Sequence, residues 1–326
     1  MLRLWPVVTL RPAMHIPDGF LDAKTLIASA GLAAAGVGLA LRQARRTLPP
    51  RRVPLMGLAA AFVFAAQLVN FPVAFGTSGH LLGGVLAAIL LGPSGAVVVM
   101  TAVLLTQALL FTDGGVLALG ANLLNMALLG PLGGYGLYRL VRRMAGPSRR
   151  AQIMAAAFAA WASVGLAAAG CAGQLAWSGT FSWGLGFPAM VNVHLVIGLG
   201  EGLLTALILS AIARVRPELL AGDLAGAGTG RVAGVGLGLV VALALALFVA
   251  PFASPWPDGL DRIAAVFGFE AKAVTLWPAP LANYQWPGLT HAVWATAWAT
   301  GIGTVVAFGL AWFLARWLVP TKPHNS

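Results

Sequence analysis

Residues 96–143 read AVVVMTAVLLTQALLFTDGGVLALGANLLNMALLGPLGGYGLYRLVRR. Two apolar runs flank the polar turn Phe111-Thr112-Asp113-Gly114-Gly115, and the second run ends among Arg139, Arg142 and Arg143. Such runs approach the roughly 20 apolar residues that a helix needs to cross a bilayer. A membrane β-barrel would alternate apolar and polar residues, and this stretch does not. It predicts two membrane helices joined by an outer turn, the second descending to a cytoplasmic arginine cluster.

The pattern extends through the chain. Of 326 residues, 59% are hydrophobic and 9% charged, against about 25% charged in soluble domains. The fold class expected is an all-α polytopic membrane protein. Apolar spans fall at 22–41, 53–69, 81–91 (short, broken at Gly92-Pro93-Ser94-Gly95), 96–111, 116–140, 151–175 and 189–212. Two more follow at 232–250 and 291–318. This divides the chain into a seven-span component over 14–216, a Gly/Ala-rich linker over 217–231, and a two-span companion over 232–326 whose outer loop runs from 251 to 290.

Net charge is +11, yet the basic residues cluster between apolar spans, so the charge reports topology and not nucleic-acid binding. Fifteen of the twenty Lys and Arg fall on one side, and only Arg3, Arg11, Lys24, Arg262 and Lys272 on the other. Nine spans then place the N-terminus outside and the C-terminus in the cytoplasm. Trp177, Trp183, Trp256, Trp277 and Trp286 fit an outer interfacial belt beside the lipid. A single cysteine, Cys171, excludes an internal disulfide framework.

The stretch Met14-His15-Ile16-Pro17-Asp18-Gly19-Phe20-Leu21 reads like a protein N-terminus that begins late. Were Met14 the first residue, its amine, the His15 amide nitrogen and the His15 imidazole would close five- and six-membered rings on one metal ion. His80, at the outer entrance of the third span, supplies a fourth nitrogen. Planar nitrogen coordination suits Ni(II), with Cu(II) competing for the same donors. An acylated Met14 nitrogen would be a poor ligand. Residues 1–13, interrupted by Pro6 and Pro12, make a poor signal peptide and are expected to be absent from the working protein.

Other polar residues are weaker candidates. His194 and Glu201, seven apart, share one face of the seventh span, and ionisable groups within a membrane are functional candidates by default. Their plainer reading is a hydrogen-bond network tying spans together. Asn70, Ser78, Gln107, Asn122 and Asn125 could orient the histidine loop, though such amides more often bridge helices. No phosphate-binding Gly-Lys-Ser/Thr loop and no nucleophile, base and acid set are present, so the chain is not expected to be an enzyme or to bind a resident cofactor. Rival readings are an ATP-independent metal channel or secondary transporter, and a membrane haem or quinone redox protein. The latter would want paired histidines within spans, and only His194 is clearly intramembrane.

MHIPDGFL at 14–21, NFPVAFGTSGHLLGG at 70–84, LLTQALLFTDGGVLALGANLLNMALLGP at 104–131 and HLVIGLGEGLLTALIL at 194–209 together resemble the CbiM/NikM-type substrate-binding membrane subunit of energy-coupling-factor cobalt and nickel importers. SPWPDGL at 254–260 is similar to the small CbiN/NikN-type companion, which implies a fusion. The resemblance implies Ni(II) or Co(II) bound by Met14, His15 and His80, capture at the outer face of a bacterial inner membrane and release inward. It also implies partners: a transmembrane energising subunit and cytoplasmic ATPases. The thirteen-residue extension departs from the family's pattern.

Overall fold

The structure is a computed structural model that describes residues 15–74, 76–221 and 230–319; Met14 and the start proposed there lie outside the described residues. It begins with α1 (Ala23–Thr47), α2 (Val53–Gln67), the two-residue strands β1 (Phe71–Pro72) and β2 (Ser78–Gly79), α3 (Gly84–Leu91) and α4 (Pro93–Phe111). Next comes one helical run made of α5 (Leu119–Asn122), a π-helical stretch Leu123–Leu129 and α6 (Gly130–Ala145), then α7 (Arg149–Trp177), α8 (Gly186–Val215) and the short α9 (Glu218–Ala221). The C-terminal part holds α10 (Gly230–Ala244), a π-helical stretch Leu245–Val249, α11 (Gly259–Phe267) and α12 (Ala292–Leu318).

The protein is an all-α, multi-pass membrane protein. Among the described residues six helices are long and apolar enough to cross a bilayer: α1, α4, α7, α8, residues 234–252 and α12. The second and third expected spans are shorter, 15 residues in α2 and 8 in α3. Short helices are tolerated in a membrane when protein covers them, and both are mostly buried. The run from 119 to 145 is interrupted by π geometry, which inserts an extra residue per turn and often marks functional sites. The segment 251–290, expected as a loop, is not structureless: Asp258 caps α11 by accepting from the Asp261 N–H at 2.8 Å.

Packing follows from residue size. α7 presents Ala155, Ala156, Ala159, Ala160 and Ser163 inward, and Gly134 of α6 lies against Ser163 and Ala159. Gly198 and Gly202 of α8 lie against the Trp161 and Ala157 carbonyls, the close approach that association without a hydrophobic driving force requires. Large apolar side chains such as Leu32, Phe158, Leu203 and Phe313 point outward and are exposed. The companion helices α10 and α12 lean on α2, with α12 also on α4, and the Thr300 hydroxyl donates to the Ala246 carbonyl at 2.7 Å to join them. Basic residues Arg45, Arg46, Arg142, Arg143, Arg214 and Arg316 occupy last turns of α1, α6, α8 and α12. The opposite ends carry the loops that build the site.

Candidate metal site

Residues 15–22 are threaded into the loops at that end of the bundle. The Asn122 amide clamps Ile16 at both backbone groups, accepting from its N–H and donating to its carbonyl, each at 3.0 Å. The Asp18 carboxylate accepts from the N–H groups of Val116 (3.1 Å), Leu117 (2.9 Å) and Ala118 (3.0 Å), the three residues that lead into α5. Gly114 and Gly115 make this possible. Gly114 has φ 86°, and a Cβ there would stand 2.9 Å from that of His15; one on Gly115 would lie 2.0 Å from an Asp18 oxygen. Beyond, Asp22 caps α1 and its N–H donates to Ser178.

This anchoring buries His15, which is 2% exposed. Its Nδ1 lies 2.8 Å from Asp113 Oδ1, while its Nε2 is buried without a hydrogen-bond partner. The six-membered chelate expected from the sequence closes through Nδ1, so that chelate requires the ring to leave its present contact with Asp113. Asp113 Oδ2 in turn accepts from the Tyr284 hydroxyl at 2.5 Å.

His15 and His80 line one small cavity of about 70 Å³, together with His194, Ser78, Cys171 and Asp258. About 10–15 Å³ of such space holds one water molecule, so the cavity has room for a metal ion with a few waters. The His80 Nδ1 lies 3.2 Å from the Leu81 carbonyl; a carbonyl can only accept, so that nitrogen carries the proton and Nε2 keeps its lone pair. Burial, with His15 nearby, pushes the pKa of His80 down to about 4, and the ring is neutral at pH 7. The same tautomer holds for His194, whose Nδ1 donates to the Met190 carbonyl at 2.8 Å. An oxygen acceptor on the other ring nitrogen, fixing the tautomer, is the usual support of a metal-binding histidine. Burial also pushes the Asp258 carboxyl up to about 6.

The remaining sequence candidates fall into place unequally. Glu201 does not pair with His194. It reaches from α8 to accept from the N–H groups of Leu82 (2.5 Å) and Gly83 (2.9 Å), capping α3 immediately after His80. Gln107 donates to Gln67 (2.7 Å), which donates to the Leu82 carbonyl (2.9 Å), so two glutamines brace the same loop. The Ser78 hydroxyl donates to the Trp256 carbonyl at 2.7 Å and ties the loop to the companion part. Asn70 lies away from the histidines: its carbonyl accepts from Ser254 and its side chain lines a second cavity.

Replacing Glu201 by Ala leaves two buried N–H donors unpaired at about 1–3 kcal/mol each. The expected result is a stability loss of about 2–6 kcal/mol with weakened metal binding, read by thermal unfolding in detergent and by titration with Ni(II). A variant as stable as the parent would show that water replaces the carboxylate.

Three contributors were not foreseen: Asp113, seen only as part of a turn, Asp258, seen only as part of a motif, and Tyr284. Asn125, in the π-helical stretch, donates to Gln174 at 2.7 Å and also lines the cavity.

A helical membrane bundle that encloses a cavity of ion size, walled by imidazole and carboxylate and closed by loops at one end, is the form of a metal-transport component. Residues 15–219 match the family described as "Cobalt uptake substrate-specific transmembrane region", and residues 233–319 match the "PDGLE domain". The chain belongs to this cobalt-uptake family and carries the PDGLE domain behind it. It is 35% identical to a chain of Archaeoglobus fulgidus named for fused nickel transport, over 93% of this chain and 99% of that one. It is also 35% identical to the cobalt transport protein CbiM of Thermosediminibacter oceani, over 69% and 92%. A crystal structure of a truncated transition metal transporter superposes with a TM-score of 0.56 at 30% identity, covering 62% of this chain and 99% of that one. The chain is a cobalt/nickel-type metal-transport component and not an enzyme.

Proposed function

We propose that this chain is the substrate-binding component of an ATP-driven energy-coupling-factor importer, and that it captures Ni(II) or Co(II) at the outer face of the inner membrane and releases it inward. The observation that carries this reading is the sharing of one buried cavity by His15 and His80. Met14, His15 and His80 are the proposed ligands, with 14–216 as the binding component, 217–231 as linker and 232–326 as companion. The linker residues 222–229 lie outside the described residues.

The orientation follows from charge. The arginine-bearing helix ends belong in the cytoplasm by the positive-inside rule, which puts the cavity outside and the C-terminus inside. Separate partner subunits, one transmembrane and others hydrolysing ATP, supply the energy. Planar nitrogen donors favour nickel.

The test is uptake of radiolabelled nickel and cobalt by cells expressing this chain with and without those partners. Uptake that requires an intact ATPase supports the proposal. Undiminished uptake without the partners would replace it with an ATP-independent channel.

A further inference from the structure

We propose that Tyr284, in the PDGLE part of the chain, is a positioning residue for the proposed metal ligand His15, acting through Asp113; this rests on the ligand assignment made above. The three groups form a continuous buried line. The Tyr284 hydroxyl donates to Asp113 Oδ2 at 2.5 Å, and Asp113 Oδ1 meets His15 Nδ1 at 2.8 Å. His15 is 2% exposed, Asp113 2% and Tyr284 4%, so water does not compete for these contacts.

An imidazole has two nitrogens. Whichever one takes the ion, the other needs an oxygen acceptor to fix the ring, and Asp113 is the carboxylate within reach. A chelate closed through Nδ1 displaces the ring from this contact, whereas Nε2 is the nitrogen that is now buried without a partner. An ion taken by Nε2 leaves the present contact in place. In that arrangement the carboxylate must itself be held still, and Tyr284 holds it.

The backbone supports a dedicated placement. Asn283 and Tyr284 both adopt positive φ, 56° and 57°, a left-handed conformation that side chains other than glycine rarely adopt. Such outliers persist where the surroundings over-determine them. Here the segment is docked on the end of α4: Leu281 N–H donates to the Leu110 carbonyl at 2.9 Å and the Trp277 indole to the Leu109 carbonyl at 2.9 Å. The Tyr284 ring stacks on Phe111 with centroids 4.5 Å apart. The companion part therefore supplies a polar atom two bonds of contact away from the metal ligand.

Tyr284→Phe removes only the hydroxyl and keeps the stack. In a preparation shown to bind Ni(II), it is expected to lower the affinity about tenfold and to shift the visible absorption band of the bound ion, while Asp113→Asn lowers it about 10–100-fold. A purely structural role for the hydroxyl would not move the band. His15→Ala runs alongside. If His15→Ala abolishes binding while Tyr284→Phe leaves affinity and band unchanged, the inference is overturned and the ligand assignment stands. If His15→Ala has no effect, the ligand assignment fails and takes the inference with it.

Discussion

Replacing His80 by Ala is expected to abolish high-affinity binding of Ni(II) and Co(II), a loss of more than about 100-fold. Changes to residues that merely orient a ligand already cost about 10–100-fold in metal affinity, and His80 is argued to be a ligand. Its ring is buried, neutral at pH 7 because its pKa is pushed down to about 4, and holds its proton on the nitrogen that faces the Leu81 carbonyl. The other nitrogen keeps its lone pair, and the residue lines the cavity. The substitution leaves the loop intact, because Glu201 and Gln67 brace it through the backbone of Leu82 and Gly83 and not through the histidine. Equilibrium dialysis of the purified protein in detergent measures the effect. An affinity within a few-fold of the parent would remove His80 from the ligand set. A matching loss in His194→Ala would add that residue, which lines the same cavity.

The sequence made the bundle legible where the helices are long. α1, α4, α7, α8 and α12 coincide with apolar runs because every backbone polar group in lipid must be satisfied within its own helix, and that rule leaves a continuous hydrophobic signature. The break at Gly92-Pro93 was equally legible: Gly92 has φ 84° and Pro93 opens α4. The π geometry around Asn125 was not, since the hydrogen bonds that Asn125 joins there run to Gln174 and on to Ser29 on other helices, far away in sequence. α11 was also missed, because a short capped helix inside a forty-residue loop carries too little apolar periodicity to stand out.

The site was legible in part for the same reason. His15 and His80 could be paired from topology, as both precede helices that start on the same side. The partner of His15 could not: Asp113 is 98 residues away and Tyr284 another 171, and nothing local to a Thr-Asp-Gly-Gly turn or an Asn-Tyr dipeptide announces a bond between them. Glu201 admits two readings in the sequence, a functional acid or a hydrogen bond tying spans together, and its carboxylate completes the α3 terminus. A carboxylate in a membrane has two ways to offset its burial, an ion or a helix end, and spacing along one helix does not distinguish them.

A chain that starts at Met14 is expected to bind Ni(II) at least about 100-fold more tightly than the 326-residue chain, about 2.8 kcal/mol at 1.4 kcal/mol per tenfold. The reason is the chemistry of one nitrogen. As a free amine it has a lone pair to give and brings the His15 amide nitrogen into the same chelate; as an amide its lone pair is delocalised into the carbonyl and both donors are lost. Metal binding through the amine and a deprotonated amide releases protons, so the tighter form should also show affinity that rises with pH. Acetylating that chain at its amine should return the weaker binding, which separates the donor from any effect of the preceding thirteen residues on folding. Titration calorimetry in two buffers of different ionisation enthalpy reads affinity and proton release together. Equal affinity for the two chains, with no difference in protons released, would sink the amine and leave an ion held by the imidazoles of the cavity alone.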